Sequence, residues 1–173
     1  MELIAPDLVE LAEELGRRLR AREATLATAE SLTAGAIAAA ITAAAGASAY
    51  LAGAVVTYQT DEKVRQLGLD PRMIERCGVV SKEVACAMAR AVAERFTTSC
   101  SIAVTGIAGP GDSVDAPAGT VWIATAVDDD VRALCYSFGR VGRDRVRFAT
   151  VKAGLRQLCE HLGDQDTEFL RTT

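Results

Sequence analysis

The chain has 173 residues, 50% apolar and 24% charged, with a net charge of −4. This composition fits one compact domain and argues against a disordered chain. The acidic balance argues against a sequence-independent nucleic-acid binder, which needs a basic excess, and no apolar run reaches the roughly 18 residues of a membrane span.

Leu8, Leu11, Leu15 and Leu19 recur at helical spacing, so residues 6–21 are predicted to form an amphipathic helix opened by Pro6-Asp7. Thr25-Leu26-Ala27-Thr28-Ala29 reads as a short buried strand. Residues 33–45 are rich in alanine and predict a helix stopped by Gly46. Ala54-Val55-Val56-Thr57-Tyr58 is the next strand, followed by a short helix carrying Lys63 and Leu67 and capped by Thr60 or Asp61. Pro71 opens another short helix that Gly78 ends. Ser81 starts a longer one, with Val84, Met88, Ala91 and Val92 on one face.

Ser101-Ile102-Ala103-Val104-Thr105 predicts a strand running directly into a glycine-rich loop, residues 106–112. Two strands, about 119–127 and 131–138, follow around an Asp128-Asp129-Asp130 turn. A last helix, from about Asp144 to Leu162, turns Phe148, Val151, Leu155, Leu158 and Leu162 inward, and residues 163–173 are expected to fray. Alternating helices and strands, then a hairpin, predict a single three-layer α/β/α domain with a mixed, mostly parallel sheet, its core within residues 6–162.

The five cysteines are scattered and form no C-x-x-C, which predicts reduced, mostly buried thiols. The only histidine, His161, falls in the last amphipathic helix and reads as a surface residue, so a histidine-based zinc site or cysteine–histidine catalyst has little support. The N-terminus lacks the basic-then-apolar pattern of a signal peptide, and a cytoplasmic protein is the expectation.

Three segments carry chemistry. Ser31 stands between a strand and a helix, where it can cap the helix or, with backbone N–H groups nearby, act on an electrophile whose oxyanion those groups hold. Thr33 could supply the cap instead. Lys63 is one of three lysines beside sixteen arginines. It can be a solvated surface residue next to Asp61 and Glu62. Alternatively, a desolvated lysine can give up its proton, which arginine cannot, and so activate Ser31 with Tyr58 orienting the proton. The Gly106–Asp112 loop follows a buried strand and is either a tight turn or a cradle for phosphate. It matches neither the P-loop nor the dinucleotide fingerprint.

Ala29-Glu30-Ser31-Leu32-Thr33-Ala34-Gly35, Val56 to Lys63, Thr105-Gly106-Ile107-Ala108-Gly109-Pro110 and Pro117-Ala118-Gly119-Thr120-Val121-Trp122, in this order, resemble the CinA C-terminal domain family. Stand-alone members of that family include nicotinamide mononucleotide deamidases. Gly78-Val79-Val80-Ser81 is similar to a further family segment, and the likeness spans about residues 6–160. The resemblance implies Ser31 as nucleophile, Lys63 as general base and Tyr58 as their hydrogen-bonding partner. Glu30, Thr33, Gly35, Thr105, Gly106, Gly109, Pro110, Gly111 and Arg143 would line the nucleotide pocket. It implies hydrolysis of the carboxamide of nicotinamide mononucleotide to nicotinate mononucleotide and ammonia, in pyridine-nucleotide salvage, with no metal or other cofactor, by a homo-oligomer, a dimer.

The chain departs from the family pattern in four places. Thr60 stands for an asparagine, Gly111-Asp112-Ser113-Val114-Asp115 for a glycine run, and Ala116 for a lysine, while the family's arginine is Arg140 or Arg143. The alternatives are a silent nucleotide-binding or interaction module and an amidase of the same mechanism with another substrate.

Overall fold

The computed structural model describes residues 4–172, with side chains from residue 4 to residue 165. In chain order the elements are α1 (Pro6–Ala21), β1 (Leu26–Glu30), α2 (Ala36–Ala43), a 3-10 turn (Ala47–Ala49), β2 (Leu51–Val56), α3 (Thr60–Leu67), α4 (Pro71–Cys77), α5 (Lys82–Phe96), β3 (Cys100–Gly106), β4 (Thr120–Val127), β5 (Asp130–Ser137) and α6 (Arg143–Thr172).

The five strands lie in the order β2-β1-β3-β4-β5. β1 pairs in parallel with β2 and β3, while β3–β4 and β4–β5 are antiparallel. Only β4 therefore runs against the other four strands, and the sheet is mixed and mostly parallel as expected. Side chains alternate across it. Leu26, Ile102, Val104 and Ile123 face α1, α2 and α6, where Leu15, Ile37, Leu155 and Leu158 meet them. Ala27, Ala29, Ala103 and Ala124 face α5, against Val84, Met88 and Val92. These small residues bring α5 close to the sheet: a Cβ on Gly53 would meet Phe96 at 2.3 Å.

Several expectations shift. β2 begins at Leu51 and ends at Val56, because Thr57 turns its carbonyl away from the ladder toward Lys63. α2 begins at Ala36 rather than at residue 33: Ala34 (φ 52°) and Gly35 (φ 92°) are both left-handed, so the chain makes a turn before it can become a helix. α6 does not stop near Gly163. A glycine costs a helix only about 1 kcal/mol, and the missing Cβ leaves room for the Arg18 guanidinium, 3.0 Å from where it would sit. The backbone is helical to Thr172. Phe148 is 39% exposed instead of inward, at an open groove lined by Ile4, Ala5, Leu8 and Ala36. All five cysteines are free; Cys100 and Cys159 are buried, Cys77 and Cys86 half-buried and Cys135 exposed on β5. Among the described residues no helix is long and apolar enough to cross a membrane.

His161 is buried, contrary to the surface reading. Its Nε2 lies 3.1 Å from Asp130 Oδ2 and its Nδ1 3.0 Å from Thr125 Oγ1. A carboxylate only accepts, so Nε2 carries the proton and Nδ1 accepts the threonine hydroxyl. Burial pushes the imidazole below its ordinary value, outweighing the pull of Asp130 toward the charged form. The unfolded ring takes up a proton near pH 6.5 and the folded ring only at lower pH. The stability this ring contributes is thus complete above about pH 6.5 and is lost as pH falls toward the folded value. The melting temperature should drop between pH 7 and pH 5, and His161→Gln should make that drop smaller. An unchanged pH dependence in the variant would contradict this account.

Candidate active site

Ser31 is the first residue past β1, at the carboxyl ends of the parallel strands, where ligand crevices of open α/β sheets form. It continues the alternation of Ala27 and Ala29, which places its side chain on the α5 face. α3 brings Lys63 to the same spot. Lys63 is 1% exposed and Ser31 8%. The Lys63 Nζ donates to Ser31 Oγ at 3.3 Å and to the Thr57 carbonyl at 2.8 Å. Taking the ammonium out of water disfavours it, and burial pushes Lys63 down to about 8. Near neutral pH about a tenth of the amine is then free to accept a proton. Serine and lysine, 32 residues apart in sequence, are joined by a hydrogen bond.

Glu30 does something other than line a pocket. Its buried carboxylate accepts the amides of Gly35 (2.9 Å), Ile37 (3.1 Å) and Ala38 (2.9 Å) and the Thr28 hydroxyl (3.2 Å). The left-handed pair Ala34-Gly35 folds α2 back over the end of β1, so the strand's last side chain caps the helix. Neither Ser31 nor Thr33 supplies that cap. Because Glu30 occupies these amides, they do not form the anion-binding site that the strand–helix turn suggested. Gly35 contributes its φ and its N–H to this turn. Thr33 is fully buried, its hydroxyl has no partner among the described residues, and its carbonyl accepts the Arg147 guanidinium at 3.1 Å.

Tyr58 is 52% exposed, and its hydroxyl bonds Arg143 rather than Ser31 or Lys63. The carbonyl of its neighbour Thr57 holds Lys63 instead. Arg143 also donates to the Gly109 carbonyl at 3.1 Å, so it joins the end of β2 to the glycine-rich loop. Arg140 pairs with Asp112 at 2.5 Å. Of the two arginines, Arg143 is thus the one tied to predicted site residues.

The loop residues divide by role. Thr105 is buried and donates to the Val79 carbonyl at 2.8 Å. Gly106 is demanded by packing, since a Cβ would meet the Thr120 carbonyl at 2.6 Å. Gly109 (φ 91°) precedes a cis peptide to Pro110, and Gly111 has open space around it. The charges that distinguish this loop are held by the chain itself: Asp112 accepts the Ala118 amide at 2.8 Å, and Asp115 the amide of Val79, between α4 and α5, at 3.2 Å. The Ala118 amide and then Arg140 hold Asp112 below the usual carboxylate range.

Two residues at the site escaped the sequence reading. Thr57 acts through its backbone carbonyl, which no residue type signals. Arg147 stands one helical turn after Arg143, a spacing that puts both on one face of α6. Among the described residues no three His, Cys, Asp or Glu side chains converge to hold a metal ion.

A family model for the CinA C-terminal domain matches residues 8–162. A CinA-like protein of Geobacter sp. (strain M21) is 43% identical over 161 residues, covering 92% of this chain and 39% of that protein. One from Synechocystis sp. is 41% identical over 156 residues, covering 88% and 37%. The chain thus spans roughly two fifths of the length of these relatives. Among solved structures, the competence/damage inducible protein CihA from Agrobacterium tumefaciens superimposes with a TM-score of 0.88 at 37% identity, covering 94% of this chain and 99% of that one. A competence-damaged protein (CinA) superfamily protein from Escherichia coli gives 0.85 at 33%, covering 91% and 92%.

Proposed function

The chain belongs to the CinA C-terminal domain family, and on that premise we propose that it hydrolyses the carboxamide of nicotinamide mononucleotide through a serine–lysine dyad. The observation that carries this reading is a buried lysine, pushed down to about 8, with its nitrogen 3.3 Å from the hydroxyl of Ser31.

The chemistry follows from the two groups. Ser31 Oγ forms a bond to the amide carbon as its proton passes to the neutral Lys63 amine. The oxyanion draws on backbone amides of this turn that Glu30 does not take. On collapse the C–N bond breaks, and Lys63 returns its proton to the departing nitrogen, which leaves as ammonia. Water then attacks the acyl-enzyme as Lys63 takes its proton, the Oγ–C bond breaks, Lys63 passes that proton to Ser31 Oγ, and nicotinate mononucleotide leaves. Arg143, at the rim between Tyr58 and Gly109, supplies positive charge for the substrate's phosphate.

Only neutral Lys63 can accept the serine proton. Ammonia release under kcat/KM conditions should therefore rise about tenfold per pH unit below pH 8 and level off above it. A rate that is flat from pH 6 to 9, or that falls across it, would remove Lys63 as the base.

A further inference from the structure

The Lys63 ammonium presents three N–H donors. Ser31 Oγ and the Thr57 carbonyl take two of them, and at 1% exposure the third has no access to bulk water. Thr57, which already holds the nitrogen through its carbonyl, is itself fully buried, and its hydroxyl oxygen has no hydrogen-bond partner among the described residues. One donor thus lacks an acceptor and one oxygen lacks a donor, on two residues in direct contact. Leaving a buried hydroxyl unpaired destabilises the fold. Valine has the same shape without that liability, so packing alone gives no reason for a threonine.

We propose that Thr57 is a positioning residue for Lys63: its hydroxyl turns about the Thr57 Cα–Cβ bond to accept the third N–H whenever Lys63 is charged, as it is once it has taken the Ser31 proton. In that step the Oγ–H bond breaks as the Oγ–C bond forms, and the new N–H bond leaves an ammonium that needs three acceptors. The inference rests on the serine–lysine reading.

The charged groups around the dyad are committed elsewhere. On α3, Asp61 is exposed and Glu62 is held by Arg65 and by Gln66. On α5, Lys82 and Glu83 are exposed and Arg95 donates to the Gln66 carbonyl. Glu30 of β1 is bound by the amides of α2, and Arg143 of α6 by Tyr58 and Gly109. Among the described residues no carboxylate pairs with Lys63, and burial is what lowers it.

The test does not depend on knowing the substrate. The chain has three lysines, Lys63, Lys82 and Lys152, so NMR titration of protein labelled with 13C-lysine can follow Lys63 directly, with Lys63→Met identifying its signal. Thr57→Val should lower the Lys63 midpoint by about one pH unit, because the charged form loses an acceptor, while Thr57→Ser should keep it. With nicotinamide mononucleotide, Thr57→Val should lower kcat about tenfold with KM unchanged, and its melting temperature should not fall. A wild-type midpoint in Thr57→Val overturns the inference whatever the substrate proves to be. A shifted midpoint in a protein that releases no ammonia from nicotinamide mononucleotide would retain it and overturn the substrate assignment instead.

Discussion

Ser31→Ala should reduce ammonia release from nicotinamide mononucleotide by a thousandfold or more, on the order of the loss when a nucleophile is removed from other serine hydrolases. Lys63→Met should lose about as much. Groups that act as one unit do not add, so the double variant should be no worse than either single one. Lys63→Arg should also be inactive, since arginine holds its proton at any usable pH. The stability of these variants separates catalysis from folding. Lys63 is buried with no carboxylate among the described residues paired to it, so replacing it with methionine removes a desolvation cost and should raise the melting temperature. Loss of activity together with gain of stability is the signature of a residue kept for chemistry. Ser31→Ala protein that keeps a tenth or more of wild-type activity would end the case for this nucleophile.

Glu30→Ala should destabilise the fold by about 3 kcal/mol or more, because three buried or half-buried amides lose their acceptor at once and each costs on the order of 1–3 kcal/mol. Set against a typical total of 5–15 kcal/mol, such a loss brings the domain close to unfolding under ordinary conditions. Glu30→Gln keeps the shape and one acceptor oxygen but turns donors toward donors, so it should fall between wild type and alanine. The urea midpoint measures both. A pocket residue would behave differently: its loss would raise KM and leave the midpoint in place. If Glu30→Ala shifts KM with less than about 1 kcal/mol of destabilisation, the capping role assigned to this carboxylate is wrong.

Where reading from residues succeeded, the signal was local. Leu8, Leu15 and Leu19 share one helical face and are buried, and β1, α3, α4 and α5 fall within a residue or two of their expected bounds. Where it slipped, a distant group had decided the matter. The end of β2 is set by Lys63 capturing the Thr57 carbonyl, and the late start of α2 by Glu30 reaching its amides. Arg18 settled over Gly163 carries α6 past a residue that by itself reads as a stop. His161 looked like a surface residue because its partners, Thr125 and Asp130, lie more than thirty positions away on β4 and β5.

The same division runs through the site. By itself the sequence determined the alternation of strands and helices, the turn that carries Ser31 and the scarcity of lysines that singled out Lys63. These follow from side-chain periodicity and residue chemistry, which act over a few positions. Only the tertiary structure decided that Lys63 is dry and within reach of Ser31, that Tyr58 serves Arg143, and that Glu30 is a cap. A polar side chain's role depends on which donor or acceptor lies within about 3 Å of it, and folding chooses that neighbour from anywhere in the chain.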